Sequence, residues 1–337
     1  MHLAEHLALP APYRARAYDG PADHGAMQRV LAAAREHAGI SEMPTVAEMD
    51  VTYANLRDCD PTTDIALVEH PDAGVVAYSR TSFEDLGTGT RDLIVFTPTL
   101  PSHVAAPLFD ALVSGSEAHL LLHATGDSRY RAYASHPGPG REAEGESAWL
   151  EAAGYTATEW GAALVRPHLD DIPARPLPDG VEVRAVTESQ VRQVLEAHWE
   201  AFRGEWDFRE PTESDYAETE AHPDLDISLW RVAWSGDTVV GQVKTYISPL
   251  ENAERGYLRG YTEEISTHRD WRNRGVAGAL LAMSLEALRE RGMTEAALGV
   301  DTNNPGGAFQ LYTSLGFELR SYEAVYTKAA GSAGGVA

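Results

Sequence analysis

Two pairs of segments in this 337-residue chain recur at almost the same separation. Val75-Val76-Ala77 follows the acidic turn Pro71–Gly74, as Val239-Val240-Gly241 follows Ser235–Thr238, and Val75 lies 164 residues before Val239. Trp149–Val165 parallels Leu311–Thr327, with Gly154 placed 162 residues before Gly316. Self-similarity at so long a period describes a duplicated domain, because solenoid repeats are several times shorter. The length itself suits two domains. Between the halves, Pro167–Gly180 (PHLDDIPARPLPDG) has four prolines and no helical or alternating pattern. Proline lacks a backbone donor and restricts the residue before it, so this stretch reads as a semi-rigid linker. The expected organisation is a domain over residues 1–166, the linker 167–180, a second domain over 181–328 and a Gly-rich frayed tail, 329–337.

Apolar spacing gives the second half an outline. Val181–Ala185 reads as a strand and Gln190–Phe202 as a helix, with Val191, Val194, Leu195 and His198 on one stripe. Leu229–Ser235 and Thr238–Ile247 alternate like antiparallel strands about a Gly236-Asp237 turn. Arg259–Thr267 is a third strand, and Gly275–Arg291 a long helix with Ala277, Leu281, Leu285 and Leu288 at helical spacing. Glu295–Val300 is a strand, Gly306–Leu315 a short helix and Phe317–Lys328 a closing strand. A meander, a crossover helix and a strand–helix–strand unit make an α/β fold with a mixed sheet.

Charge narrows the partners. The chain has 27 Lys and Arg against 51 Asp and Glu, a formal net charge of −24. Such a field repels phosphate backbones and anionic lipid, which argues against nucleic acid and membrane partners. Cys59 is the single cysteine, so neither an internal disulfide nor a multi-Cys metal knuckle can form. No apolar run reaches about 18 residues, and the N-terminus lacks a basic segment followed by an apolar core. A soluble, cytoplasmic protein is expected, as a monomer, with no metal.

Within this acidic chain, Arg269, Arg272 and Arg274 form a basic island immediately before the long helix. Arg272-x-x-Gly275-x-Ala277 puts small residues where backbone approaches a ligand closely, and the free amides of a helix's first turn face the same space. That combination is an anion site suited to a pyrophosphate. A P-loop is excluded, since Gly-Lys-Ser/Thr is absent. A dinucleotide fingerprint fails too, because the charged loop His268–Arg274 separates strand from helix.

Further on, Asp301-Thr302-Asn303-Asn304 is followed by Ala308, Leu311-Tyr312 and Leu315-Gly316-Phe317. Together with the Arg272–Ala277 loop, this resembles the Gcn5-related N-acetyltransferase (GNAT) superfamily, over residues 181–328 and most specifically from Gly260 to Phe317. The tandem layout is similar to mycothiol synthase-like actinobacterial acetyltransferases. The resemblance implies the acyl-CoA N-acyltransferase fold in two tandem copies, with acetyl-CoA as acyl donor and a small-molecule amine as acceptor. It also implies roles for particular residues. Backbone of Ile265, Ser266 and Thr267 would bond the pantetheine. Arg272, Asn273, Arg274, Gly275, Val276 and Ala277 would cradle the pyrophosphate, and Asn304 would bond the pantetheine arm. Tyr312 would protonate the departing thiolate.

The chemistry also needs a base, because only about one primary amine in a thousand is unprotonated at neutral pH. The family position for a catalytic glutamate falls on Tyr261, a departure from the pattern. Glu263 shares a strand face with Tyr261 and is the first candidate, with Glu264 on the opposite face the second. Trp199, Trp206, Phe208, Trp230 and Trp234, interleaved with acids such as Glu200, Glu205, Asp207, Glu210 and Asp215, mark a region that shapes the acceptor pocket in GNAT-like domains. Trp199, Trp206 and Tyr261 are the substrate-binding candidates, and aromatic walls with carboxylates suit an organic cation. Core aromatics beside a solvated acidic face is the plainer alternative.

The first half lacks this machinery. Phe96–Val113 has no Arg-x-x-Gly-x-Gly/Ala, and Pro101 and Pro107 disfavour an amide-lined helix start. It is expected to be a degenerate partner. His119 and His123 have a ligand-like spacing, but Leu120–Leu122 reads as a buried strand, and Asp58, Asp60 and Asp64 as a turn. The functional expectation is an acetyl-CoA-dependent N-acetyltransferase, by direct attack in a ternary complex. The alternatives are a non-catalytic acyl-CoA-binding regulator and a mycothiol synthase-like transferase.

Overall fold

The computed structural model describes residues 1–40, 43–86, 88–138, 140–203, 208–302 and 307–331. The chain begins with helix α1 (Leu3–His6), strand β1 (Arg14–Ala17) and helices α2 (His24–Ala38), α3 (Val46–Ala54) and α4 (Pro61–Asp64). Strands β2 (Ile65–His70), β3 (Gly74–Asp85) and β4 (Arg91–Phe96) form a meander. Helix α5 (Ala106–Leu120) crosses to β5 (Ser128–Pro137), and α6 (Glu146–Ala152) leads into β6 (Thr156–Arg166). The second half repeats the order. It runs β7 (Glu182–Arg184), α7 (Val191–Phe202), α8 (Glu213–Glu220), β8 (Arg231–Ser235), β9 (Thr238–Tyr246), α9 (Pro249–Arg255) and β10 (Arg259–Thr267). Helix α10 (Val276–Glu290) then crosses to β11 (Glu295–Asp301), and α11 (Ala308–Ser314) leads into β12 (Glu318–Ala329).

Two compact units result, but their limits are not those expected from the sequence. One comprises Met1–Trp160 with Ser321–Ala337, and the other Gly161–Arg320. Within the first unit the strand order is β1-β2-β3-β4-β5-β12, and within the second β7-β8-β9-β10-β11-β6. In each, the fourth and fifth strands are parallel and the sixth is antiparallel to the fifth. Each half thus gives its last strand to the other half's sheet. The domains assigned to 1–166 and 181–328 miss this exchange. Alternating apolar residues state that a strand has a buried face, not which sheet it completes.

Three further differences have physical causes. Leu120–Leu122, expected as a buried strand, is the end of α5 and a 3-10 turn over Leu121–His123. The helix buries Leu108, Phe109, Leu112, Val113, Ser116 and His119 at helical spacing, so a run of three leucines could not decide the matter. Pro107 sits in the first turn, where a missing amide costs nothing. The Pro-rich stretch after Arg166 belongs to the second unit and is packed. The Arg166 guanidinium donates to the Asp171 carbonyl at 2.8 Å, and Arg175 to Ser314 Oγ at 3.0 Å.

In the second unit α10 lies close on the sheet because Gly241 of β9 has no side chain. A Cβ there would come within 2.6 Å of Val276 Cγ1. Among the described residues no helix is long and apolar enough to cross a membrane.

Strand exchange has a measurable consequence. Tyr326 of β12 is 1% exposed, in the first unit's core with Leu93, Val95 and Tyr130. Tyr326→Ala should cost about 3–5 kcal/mol. Hydrogen exchange should show the lost protection in peptides from residues 65–137, whereas loss confined to 231–301 would contradict the exchange.

Candidate functional site

The parallel ladder between β10 and β11 is short. Arg259, Gly260 and Tyr261 pair with Glu295, Ala296 and Ala297, and the strands then part. Each stays paired on its other side, β10 with β9 as far as Thr267 and β11 with β6 as far as Asp301. The sheet therefore opens into a V, and a cleft of about 620 Å³ lies there. Its β10 wall is Ile265, Ser266 and Thr267, and the loop and helix start at Trp271–Gly278 form its base. Ala308, Leu311 and Tyr312 of α11 close another side.

The base is made largely from backbone. Gly275 is the N-cap of α10 at φ +87°, a left-handed conformation that glycine adopts without strain, and no side chain caps the helix. Asn273, two residues earlier, is also left-handed at φ +60°. The first amides of a 15-residue helix are thus presented at the cleft with the positive end of its dipole. Arg272 ties the loop down: its guanidinium donates to the Ala201 carbonyl at 2.6 Å and to the Thr267 carbonyl at 3.4 Å. Arg274 lies over the Trp271 ring, 5.0 Å from its centroid.

Strand β10 carries a bulge at the cleft. Glu263 pairs with Lys244 and Ser266 with Gln242, so one extra residue is inserted, and Glu264 is left-handed at φ +44°. The bulge separates the two glutamates. Glu263 turns to β11, where its carboxylate accepts from the Gly299 amide at 3.1 Å. Glu264 turns the other way, into an ion pair with Lys244 of β9 and to 3.8 Å from His198 Nε2 of α7. Burial pushes the His198 imidazole down to about 4, against the pull of Glu264, so it is neutral at pH 7. Burial also lowers Lys244, and Glu264 opposes that shift.

Tyr312 is 5% exposed, at the cleft. Burial raises its phenol well above the ordinary value, and the nearby Glu263 charge raises it further, so the proton is retained at neutral pH.

Of the residues singled out from the sequence, Ile265, Ser266, Thr267, Arg272 to Ala277 and Tyr312 line one cleft. Glu263 stands beside it, and Glu264 is turned toward β9 and α7. Tyr261 points elsewhere: it is buried, stacks on Tyr246 at 5.0 Å, and donates to Glu251 at 2.7 Å. Trp199 is half-buried against the core cluster that contains Trp230 and Trp234. The acids nearby are paired, Glu200 and Glu210 with Arg203 and Asp215 with Arg209. Trp206, with Glu205 and Asp207, lies outside the described residues, as does Asn304. His119 Nε2 donates to the Asp64 carboxylate at 2.8 Å inside the first unit, a structural pair. That Arg175 and Pro176 line the cleft is invisible in the sequence, because a Pro-rich stretch has no periodicity to tie it to a surface. Phe202 and Ala201 do so as well, and the stripe through Val194 and His198, continued by four residues, reaches Phe202.

Residues 191–317 match the model of the acetyltransferase (GNAT) family. No curated protein matches the chain. Among solved structures, a GCN5-related N-acetyltransferase from Sphaerobacter thermophilus is 24% identical, with a TM-score of 0.70, over 96% of this chain and 97% of that one. A tandem GNAT protein from the clavulanic acid biosynthesis pathway is 17% identical, with a TM-score of 0.65, over 95% and 98%. N-myristoyltransferase of Saccharomyces cerevisiae, solved with myristoyl-CoA, is 12% identical, with a TM-score of 0.59, over 95% and 79%. At these identities the likenesses establish the fold.

The environment of His198 makes stability depend on pH. Its folded value of about 4 lies below the ordinary 6.5, so the unfolded chain binds this proton more readily. The stability it contributes is complete above pH 6.5 and is lost as pH falls toward 4. His198→Gln should flatten that loss by up to about 3 kcal/mol, read from urea unfolding across this range. Equal slopes in both proteins would show that His198 titrates freely in the fold.

Proposed function

Because residues 191–317 match the acetyltransferase (GNAT) family model, we propose that the chain is an acyl-CoA-dependent acyltransferase and that its second unit is an N-acetyltransferase acting on a small-molecule primary amine. One observation carries this reading: an uncapped helix N-terminus, an arginine-bearing loop and a proton-bearing phenol face the same cleft. The amides of Val276 and Ala277, with Arg272 and Arg274, suit the pyrophosphate of acetyl-CoA. The β10 segment Ile265–Thr267 suits its pantetheine, as a strand edge suits an extended amide chain.

In the reaction the amine nitrogen attacks the thioester carbonyl carbon within a ternary complex. A C–N bond forms, the C–S bond breaks, and the electron pair leaves on sulfur. Glu263 takes the amine's proton, directly or through a water, while Tyr312 protonates the departing thiolate. Placement favours Glu263 over Glu264, whose carboxylate is committed to Lys244. A backbone amide freed from the ladder at the bulge, in the segment Ile265–Thr267, stabilises the charge on the thioester oxygen. The acid that faces the site and the −24 net charge favour a cationic acceptor, though the acceptor's skeleton is set by residues other than these.

Titration calorimetry of the full chain with acetyl-CoA should find a site that Gly275→Glu abolishes. That substitution places a carboxylate at the anion cradle and strains the N-cap. With a turned-over amine at saturating donor, Tyr312→Phe and Glu263→Gln should each lower kcat by about 10²–10⁴. Full turnover in both variants would reject the assigned roles. Binding without turnover across an amine panel would favour an acyl-CoA-binding regulator, and no binding at millimolar donor would reject the reading altogether.

A further inference from the structure

The first unit opens at the same place as the second. Its parallel strands β4 and β5 are paired from Arg91 to Ile94 with Ser128 to Arg131 and then part. A cavity of about 360 Å³ lies there, bounded by the end of β4, by Tyr133 and Ser135 of β5 and by α2. What fills the V differs. The helix that follows β4 begins at Ala106 with proline in its first turn and offers no arginine loop. The cavity is instead lined by two cations, Arg80 of β3 and Arg35 of α2.

Arg80 is the counterpart of Lys244, 164 residues later, which is also the spacing of Val75 and Val239. Both cations sit on the third strand of their sheet, next to the strand that borders the V. Their surroundings diverge at one point. Lys244 is opposite Glu263 and is neutralised by the adjacent Glu264. Arg80 is opposite Phe96, which Thr97 follows. Its guanidinium lies over the rings of Phe96 and Tyr53, at 5.1 and 5.4 Å from their centroids. The other groups that act on it are Tyr78, Tyr133 and Cys59, each kept protonated by burial. Among the described residues no carboxylate forms an ion pair with Arg80. It is surrounded by protein, yet part of it stays accessible from the cavity.

A cation enclosed by protein without a counter-ion is unfavourable to the extent that it is desolvated, and buried charges are ordinarily paired. The duplication kept the cation and replaced its acid, and an open space adjoins it. We propose that this cavity binds a small organic monoanion, its carboxylate or equivalent group on Arg80 and its apolar body against Leu31, Ile94, Phe96 and Phe109. A larger ligand such as coenzyme A is disfavoured by the size of the cavity.

Benzoate and hexanoate are suitable probes, with uncharged benzamide as the control, titrated into the full chain by calorimetry. At least one acid should bind saturably, and benzamide should not. Arg80→Gln should weaken that binding by at least about tenfold, the scale of a lost charge-assisted hydrogen bond. Removal of an unpaired cation should leave the unliganded variant's unfolding midpoint equal or higher, so failure to fold is separable from failure to bind. The proposal is overturned if neither acid binds by about 10 mM, a free energy below what a specific site supplies. It is equally overturned if Arg80→Gln binds as well as the parent, if benzamide binds equally, or if coenzyme A displaces the acid in a Gly275→Glu background.

Discussion

After Tyr261 and Ala297 the ladder of β10 and β11 ends, and backbone groups that would pair in a continuous sheet are left facing a gap. Polar backbone in such a place must find other partners. The rest of the site follows from this requirement. The bulge on β10 redirects Glu263 and Glu264 to opposite sides of the strand, and α10 brings its uncapped first turn to the gap's edge. The close seating of α10 depends in turn on Gly241, where any side chain would collide with Val276.

The two glutamates show how position within a strand settles chemistry. They are neighbours in sequence, yet one faces a retained phenolic proton and the other a buried lysine. Lys244 would be costly to bury alone, so Glu264 serves to neutralise it. The same strand position in the first unit holds Arg80, with phenylalanine opposite. A duplicated fold thus presents two openings at corresponding places with different handling of charge, and this difference separates the roles inferred for the two units.

Much of the site was legible from the residues. The small residues and arginines before α10, grouped from the sequence, do line one cleft, and Tyr312 with its flanking leucines fixes a short helix beside it. Strand β10 follows directly from alternation, as does α10 from its leucine spacing. The side on which Tyr261 would work was not legible. Strand alternation groups it with Glu263, but Glu251 of α9 captures its hydroxyl. Nor does the tryptophan content around residues 199–234 reveal that Trp230 and Trp234 are core.

The sequence by itself determined the duplication, the element order of the second half, and the grouping of the loop before α10 with Tyr312 as lining of one cleft, because each depends on local spacing or on residue chemistry. Tertiary structure decided which sheet β6 and β12 complete, that the Pro-rich stretch packs against the cleft, and which glutamate is committed to Lys244. Those outcomes depend on contacts between residues far apart in the chain. An apolar face, a proline run or a carboxylate carries no record of its eventual partner until the backbone is folded around it.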